Sequence, residues 1–257
     1  MNAKKLSFLL LILVAVACTN RSTSSEQDEM RHWNNVLQQI NALLLENKAR
    51  QTLDLAKQTL PEILESAEKN GTTDTLIYYA RKIFNACGNN YINTKQYKDG
   101  IDYMDSIGNH PLIREHCPHE LLSFKAGLNQ LYGNNPEAVR LAEDYLQLPV
   151  CTSANDFIRQ AEIISGVYMY SGNNLPKAIQ ILEKAIDVYR KGGNFPNMLR
   201  IMSRLGIYYH LSGEYEKAIA TNQEAIATYN DSIAPGNVVI AYGEQANLYA
   251  ELGMYDQ

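Results

Sequence analysis

The sequence predicts an all-α fold, an alpha-alpha superhelix in which antiparallel helix pairs repeat about every 40 residues. Apolar residues follow helical spacing from Met30 onward, and no alternating strand pattern of useful length interrupts them. Three series of residues recur at a step of 40. Small residues form the first, Ala126, Gly166, Gly206 and Ala246, and the residues two positions later form the second, Leu128, Tyr168, Tyr208 and Leu248. The third series consists of the alanines Ala138, Ala178 and Ala218.

The first 17 residues have the pattern of a secretory signal. Lys4 and Lys5 precede the apolar stretch Leu6–Ala17, which ends in small residues directly before Cys18. This stretch is too short to span a bilayer, since about 20 residues are needed. The segment resembles a bacterial lipoprotein signal peptide, in which such a cysteine is lipidated and becomes the mature N-terminus, although Ala15 stands where Leu is usual. The alternative is an ordinary cleaved signal with an incidental cysteine.

Lipidation of Cys18 predicts a protein of the bacterial cell envelope, anchored to a membrane without crossing it. Thr19 follows the cysteine. By resemblance to Gram-negative lipoproteins, the absence of Asp at that position favours the outer membrane, on its periplasmic or surface side. Residues 18–29 are polar after the cysteine and are expected to form a flexible tether. Residues 30–257 are expected to form the helical solenoid.

The composition limits the classes of partner that the chain is expected to bind. The chain of 257 residues is 46% hydrophobic and 20% charged, which is ordinary for a folded protein. Its formal net charge of -5 disfavours a general nucleic-acid binder, which would be basic. The three cysteines besides Cys18 are expected to be free and packed, with one disulfide as the alternative: Cys87, Cys117 and Cys151.

Helix boundaries are predicted from apolar spacing and from the Gly, Asn and Pro residues between the periodic segments. Two helices are expected after Met30, one around Val36–Leu44 and one around Leu53–Leu64, and Pro61 is expected to kink or restart the second. The helices expected after them cover 74–94, 96–108, 116–132, 135–148, 154–171, 175–191, 196–212, 215–231 and 236–252.

The repeated residues resemble the tetratricopeptide repeat (TPR) family. The clearest copy comprises Leu205-Gly206-Ile207-Tyr208-Tyr209, then Gly213 to Ala218, then Ala225. Weaker copies surround Ala126, Gly166 and Ala246, so the resemblance covers nearly all of residues 30–257. The family's Trp position is filled by other residues, its terminal Pro is missing, and the step is 40 rather than 34. The last copy stops at Gln257, where its second helix would begin, which predicts that the C-terminal part is missing.

The resemblance implies a groove for a protein or peptide segment, because the first helix of each pair lines the concave face in this family. Mapped onto this chain, that face is predicted to contain Gln160, Ile163, Val167, Tyr170, Arg200, Ser203, Arg204, Ile207, His210 and Asn247. Arg200 and Arg204 lie four residues apart on one helical face and could hold a carboxylate or phosphate. The alternative is that both are surface arginines paired with nearby glutamates.

The motifs do not favour an enzyme. No Gly-rich phosphate loop, nucleophile elbow or His-Glu zinc helix is present, so no cofactor and no catalytic residue is predicted. His110, His116, Cys117 and His119 are close in sequence, but prolines break the segment and no second Cys/His group exists, so no metal site is predicted.

The sequence therefore predicts a non-catalytic, lipid-anchored scaffold that binds a protein or peptide. The alternative is the sensory region of a larger membrane-associated signalling regulator, with a histidine kinase or DNA-binding output beyond residue 257. A glycan-binding lipoprotein is disfavoured, because it would need a large aromatic surface and the chain has one Trp.

Overall fold

A computed structural model describes residues 24–149, 154–192, 195–228, 235–254 and 256. The predicted signal peptide, Cys18 and Cys151 lie outside these residues. The described residues form twelve α-helices: α1 (Ser24–Leu45), α2 (Ala49–Asn70), α3 (Asp74–Asn93), α4 (Tyr97–Ile107), α5 (Pro111–His116), α6 (Pro118–Tyr132), α7 (Asn135–Gln147), α8 (Ala154–Tyr170), α9 (Leu175–Gly192), α10 (Phe195–Leu211), α11 (Tyr215–Thr228) and α12 (Pro235–Glu251). No β-strand occurs within those ranges, so the all-α prediction is confirmed.

The chain divides into two compact units, with the division between Ile83 and Phe84 inside α3. In the first unit, α1 and α2 bury apolar stripes that include Trp33, Ile40 and Leu53. Helix α1 begins at Ser24, so residues 24–29, which were expected to belong to the tether, are helical. Glu29 helps to hold this turn in place because its carboxylate accepts a hydrogen bond from the Ser66 hydroxyl of α2.

Helix α2 runs through Pro61 without restarting, so of the two predicted effects of this proline, a kink or a restart, the restart is wrong and the kink stays a prediction. Proline removes one backbone donor and crowds the preceding turn, which costs about 3 kcal/mol in a helix interior. Leu60 and Ile63, on either side of it, are fully buried, and Leu64 is nearly so. Burying a large aliphatic side chain contributes roughly 1.5–3 kcal/mol, so three of them outweigh the local cost.

In the second unit the 40-residue register is visible in the backbone. Residues 133, 173, 213 and 253 each lie one to three positions after the end of a first helix, and all four have positive φ angles between 43° and 95°. Glycine adopts this left-handed conformation without a steric penalty, and asparagine is the residue next most often found there. This explains why the series reads Gly133, Asn173, Gly213 and Gly253.

Helix pairs α6/α7, α8/α9 and α10/α11 share one apolar core, to which α12 adds Ala241 and Leu248. The alanines that recur at 40-residue steps, Ala138, Ala178 and Ala218, are all fully buried. The short helix α5 was not predicted: His110 caps it by accepting a hydrogen bond from the Leu112 amide at 3.2 Å, and Pro111 occupies its first turn. Cys87 and Cys117 are buried thiols.

The glycines of the 40-residue series differ in how strictly they are required. A Cβ atom added at Gly206 would lie 2.2 Å from Oδ1 of Asn222, so the buried Asn222 side chain leaves no room for a larger residue at position 206. A Cβ added at Gly166 would meet only Oε1 of Gln130, at 3.8 Å. The repeated small residue is therefore a steric requirement at Gly206 but not at Gly166.

Candidate functional site

Three of the residues predicted to line the groove are buried, and that part of the predicted surface is corrected. Gln160, Val167 and Ser203 are 3%, 0% and 3% exposed. Gln160 accepts a hydrogen bond from the Tyr145 hydroxyl at 3.1 Å, and the Ser203 hydroxyl donates to the Leu199 carbonyl at 2.8 Å. These side chains stabilise the packing of the helices and do not face a ligand.

Neighbouring first helices pack more closely than the register alone indicates. A Cβ added at Gly127 of α6 would lie 2.7 Å from Cγ2 of Ile163 on α8. Helix α6 therefore covers part of the α8 face that was expected to be open, and Ile163 is half-buried. Tyr170 remains 69% exposed at the C-terminal end of α8. Arg200 and Asn247 are also exposed, and Ile207 is half-buried.

Arg200 and Arg204 lie opposite α8 and share one carboxylate. Nη2 of Arg200 is 2.6 Å from Oε2 of Glu162, and Nη2 of Arg204 is 3.1 Å from Oε1 of the same residue. Nη1 of Arg204 also donates to the Glu162 carbonyl at 3.1 Å. This is the pairing with a nearby glutamate that the sequence left as the alternative.

The pairing leaves positive charge at the surface. The side chain of Glu162 is 15% exposed, whereas those of Arg200 and Arg204 are 45% and 36% exposed. Each guanidinium has five N–H donors in a planar fork, so a partner carboxylate does not exhaust its capacity. Both arginines can therefore donate hydrogen bonds to a second anionic group from solvent while Glu162 holds them in position.

Arg159 completes the cluster, and the sequence analysis missed it. It lies one turn before Glu162 on α8 and is exposed, and no ion pair to it occurs among the described residues. Partial burial of the guanidinium group, followed by the nearby charge of Arg200, lowers the pKa of Arg159, while Asp156 and Glu162 oppose that shift. One feature of the sequence pointed to Arg159, because it directly precedes Gln160, which was predicted to lie on the concave face.

We call Arg159, Arg200, Arg204 and Glu162 the arginine cluster. Its three guanidinium groups and one carboxylate give a local charge of +2, which Asp156 reduces to +1. The formal net charge of the whole chain is -5, so this patch is positive in a chain that is negative overall. Its chemistry suits a carboxylate or phosphate group, since a guanidinium fork can donate two parallel hydrogen bonds to two oxygens of either group.

His210 lies at the next junction, between α10 and α12. Its Nδ1 is 3.2 Å from Oε2 of Glu244, and its Nε2 is 3.0 Å from Oε2 of Glu251. The hydrogen bond to Glu251, and then that to Glu244, raises the pKa of His210, while burial opposes the shift. This predicted groove residue therefore joins two helices through a charge that depends on pH.

The pH dependence of this junction gives a prediction for the full chain. Because the pKa of folded His210 is raised above the unfolded value of about 6.5, its stabilising effect is complete below that value. The effect is lost as the pH rises through the raised pKa. We expect the free energy of unfolding, measured by urea titration, to fall over this range.

The variant His210→Gln supplies the comparison, since glutamine keeps hydrogen-bonding capacity without a titratable charge. We expect its stability curve to be flatter over the same range of pH. An unchanged slope in the variant would show that other groups cause the dependence.

The histidines of the segment 110–119 have other contacts. His110 caps α5, and Nε2 of His119 is 2.7 Å from the Pro149 carbonyl oxygen. In the part of the chain that the structure describes, no group of three or more His, Cys, Asp and Glu residues could hold a metal ion. Over the same residues, no helix combines the length and the apolar character needed to cross a membrane.

Comparisons with known proteins support the repeat assignment. Residues 161–231, which contain most of α8 and all of α9–α11, match the tetratricopeptide repeat family. No curated protein matches the chain significantly.

Two solved structures share the fold. The chain is similar to BtubC (BKLC) from P. vanneervenii, with 12% identity, a TM-score of 0.62 and coverage of 80% of this chain and 84% of that one. It is also similar to PH0952 from Pyrococcus horikoshii, a Signal Transduction ATPase with Numerous Domains that has a tetratricopeptide repeat sensor. That comparison has 17% identity and a TM-score of 0.63, and it covers 91% of this chain but only 38% of that one. The segment 161–231 therefore resembles the tetratricopeptide repeat family, and the described residues form an all-α superhelix of TPR type.

Proposed function

We propose that this chain is a non-catalytic scaffold that binds a protein or peptide segment and is anchored in the bacterial cell envelope through a lipid on Cys18. TPR segments generally serve as protein-interaction scaffolds, which supports the first part. The signal-like pattern of residues 1–17 and the cysteine after it support the second.

The arginine cluster is the observation that carries the binding proposal. It joins the first helices of two consecutive repeats, and its arginines remain partly exposed although they share Glu162. The preferred ligand is an acidic segment, because a side-chain or terminal carboxylate can take the guanidinium donors that Glu162 leaves unused. Exposed charge pairs contribute about 0.2–1 kcal/mol each, so the cluster selects for an acidic residue and other contacts add to the affinity.

Tyr170 adds an apolar contact to the same side of the site. It follows Glu162 by eight residues on α8, which is about 12 Å along the helix axis. Its exposed ring can pack against a ligand while the hydroxyl stays hydrated. We propose that the segment lies between this ring and the arginine cluster, with an acidic residue at the cluster and an apolar residue near Tyr170.

Selection from a random peptide library on the purified full chain tests the binding proposal. We expect the wild-type protein to enrich acidic sequences and the Arg200→Ala/Arg204→Ala variant to lose that enrichment. Far-ultraviolet circular dichroism on both proteins verifies that the variant keeps its helices. Enrichment of basic or purely apolar sequences, or of none, by the folded wild type would contradict the proposal.

Anchoring through Cys18 has its own test. We expect the wild-type protein, expressed in a Gram-negative host, to sediment with membranes and to carry lipid at its N-terminus in mass spectrometry. The variant Cys18→Ser removes the thiol that is lipidated and should leave the membrane fraction. Membrane association that is unchanged in the variant would contradict lipid anchoring at this residue.

A second candidate function is the sensory region of a larger signalling regulator. The observation that favours it is the shared fold with PH0952, whose repeats are described as a sensor, although this chain spans only 38% of that protein. The coding sequence after Gln257 discriminates the two candidates. An apolar run of about 20 residues followed by an output domain would support the regulator.

A further inference from the structure

A groove between α7 and α9 shares no residue with the arginine cluster. Its volume is about 300 Å³, and it opens to solvent. Apolar side chains from three helices line it: Leu146 of α7, Phe157 of α8, and Ile181 and Val188 of α9. Ile181 is buried, whereas Leu146 is 40% exposed, so the groove offers an apolar surface to a ligand. We call it the α7/α9 groove.

The size of the α7/α9 groove suits a small molecule. Pockets for small ligands range from about 300 to 1,000 Å³, so this groove lies at the lower end. A water molecule takes roughly 30 Å³, which leaves room for about ten non-hydrogen atoms. The connection after α7 forms one wall, and the His119 ring fixes it by donating a hydrogen bond to the Pro149 carbonyl at 2.7 Å. A whole helix of a partner protein would not fit this space.

Three lysines lie at seven-residue steps along α9: Lys177, Lys184 and Lys191. Seven residues are close to two helical turns, so the three side chains share one face and follow each other at about 10.5 Å. Nζ of Lys177 is 2.5 Å from Oε1 of Glu143 on α7. Lys184 and Lys191 line the α7/α9 groove, and neither forms an ion pair with a described residue. The last three residues of α7 include no acid, so α7 supplies no partner for them.

The corresponding position in the next repeat carries the opposite charge. Adding 40 to Lys184 gives Glu224, whose two carboxylate oxygens accept hydrogen bonds from Nη2 of Arg190 at 2.7 and 2.8 Å. Adding 40 to Ile181 gives Thr221, so a polar residue replaces an apolar one. An ion pair therefore joins α9 to α11 where the α7/α9 groove has a lysine and an apolar surface. The cationic and apolar character of the α7/α9 groove thus does not come from the repeat pattern.

The lining residues of the α7/α9 groove include one acid, Asp187, which lies between the two lysines on α9. Its Oδ1 is 3.7 Å from Nη1 of Arg190, so part of its charge is balanced there. Lys184, Lys191 and Asp187 together give the groove a net charge of +1. The long, flexible stems of both lysines allow their ammonium groups to approach one anionic group. A ligand with an apolar body and one carboxylate matches this combination.

We propose that the α7/α9 groove binds a small amphipathic carboxylate, of the size of a medium-chain fatty acid. Its chain packs against Leu146, Phe157 and Ile181, and its carboxylate contacts Lys184 and Lys191. This goes beyond the binding proposed for the arginine cluster, because it uses another surface and another class of ligand.

Octanoate is the probe for this proposal, because its chain and carboxylate together fill about the volume of the α7/α9 groove. A nuclear magnetic resonance titration of the isotope-labelled full chain measures its binding. We expect saturable shifts of the amide signals from residues that line the groove. Octanol, which lacks the charge, should bind about 2- to 30-fold more weakly, the range that two exposed charge pairs give. Butanoate, whose apolar chain is shorter, should bind weaker than octanoate by about tenfold or more.

Two variants connect this binding to named residues. Lys184→Gln/Lys191→Gln removes both charges, so it should bind octanoate no more tightly than octanol. Leu146→Glu, at an exposed position, places a carboxylate in the groove that competes for both lysines, and it should weaken octanoate binding by about tenfold or more. Lys217→Gln, at an exposed position of the next repeat, is the matched control and should leave the affinity unchanged. Circular dichroism verifies that each variant keeps its helices.

The Arg200→Ala/Arg204→Ala variant should bind octanoate like the wild type, which separates this proposal from the binding of acidic segments. Three results would overturn the proposal: no saturable binding to the folded wild type, equal affinities for octanoate and octanol, or equal losses in the Lys217 variant and the Lys184/Lys191 variant. Displacement of octanoate by an acidic peptide from the library selection would also overturn it, because a peptide would then be the occupant.

Discussion

Replacing Gly206 with Leu is expected to lower the free energy of unfolding by roughly 1–3 kcal/mol, the usual cost of overpacking a tight core. The reason is the side chain of Asn222, which fills the space between α10 and α11 opposite Gly206. The first side-chain atom added at this position would lie 2.2 Å from Oδ1 of Asn222, which is itself fully buried. Urea titration followed by circular dichroism measures the change.

A substitution of Asn222 tests the same packing from the other helix. Neither its side-chain nitrogen nor its side-chain oxygen has a hydrogen-bond partner among the described residues. A buried amide without partners costs about 1–3 kcal/mol, so Asn222→Ala should stabilise the protein even though it removes side-chain atoms from the core. It also removes the atom that a Cβ at position 206 would meet.

A double-mutant cycle then separates the two effects. Gly206→Ala should destabilise the wild type but stabilise the Asn222→Ala background by up to about 1 kcal/mol, because alanine is the better helix former. The double variant places alanines where the pair α6/α7 has Ala126 and Ala142. Gly166→Ala is the control and should not destabilise, since a Cβ there has room. Equal costs at Gly206 and Gly166 would contradict the packing described for this crossing.

The variant Arg200→Ala/Arg204→Ala is expected to bind an acidic peptide from the library selection about 2- to 30-fold more weakly than the wild type. Each partly exposed arginine contributes a charge pair of about 0.2–1 kcal/mol, and 1.4 kcal/mol corresponds to a tenfold change in affinity. The measurement is a fluorescence anisotropy titration at fixed ionic strength, because salt screens exposed charges.

The variant Glu162→Gln is expected to change the peptide affinity in the opposite direction. It removes the carboxylate that competes for both guanidinium groups, so we expect tighter peptide binding and a less stable protein, since Glu162 also bridges α8 and α10. Arg140→Ala, on the exposed side of α7, is the matched control and should leave the affinity unchanged. Equal losses in the Arg140 variant and in the Arg200/Arg204 variant would indicate nonspecific charge attraction.

The helices could be predicted from sequence because their apolar residues keep one period over two hundred residues. Gly133, Asn173, Gly213 and Gly253 mark first-helix ends, and all four adopt the left-handed conformation that such ends require. The exceptions have local causes. Helix α5 has only six residues, too few to show a period, and Pro61 lies where the buried residues around it hold α2 together.

The candidate site was predicted less completely. The register identifies which residues share a helical face, but it does not determine how closely the neighbouring helix approaches that face. Gln160 proved to be buried beside Tyr145 of α7, and Ile163 is half-buried where Gly127 of α6 packs on α8. Arg159 was missed because it lies one position outside the family's mapped face.

Photo-crosslinking of an acidic peptide tests most directly the central claim that the arginine cluster binds a protein segment. The peptide comes from the library selection and carries a photoreactive group next to its acidic residue, and mass spectrometry locates the crosslinks on the full chain. We predict crosslinks to α8 and α10, close to Arg159, Arg200 and Arg204, that excess unlabelled peptide suppresses. Crosslinks confined to the second helices α7, α9 and α11, or unaffected by that competition, would contradict the claim.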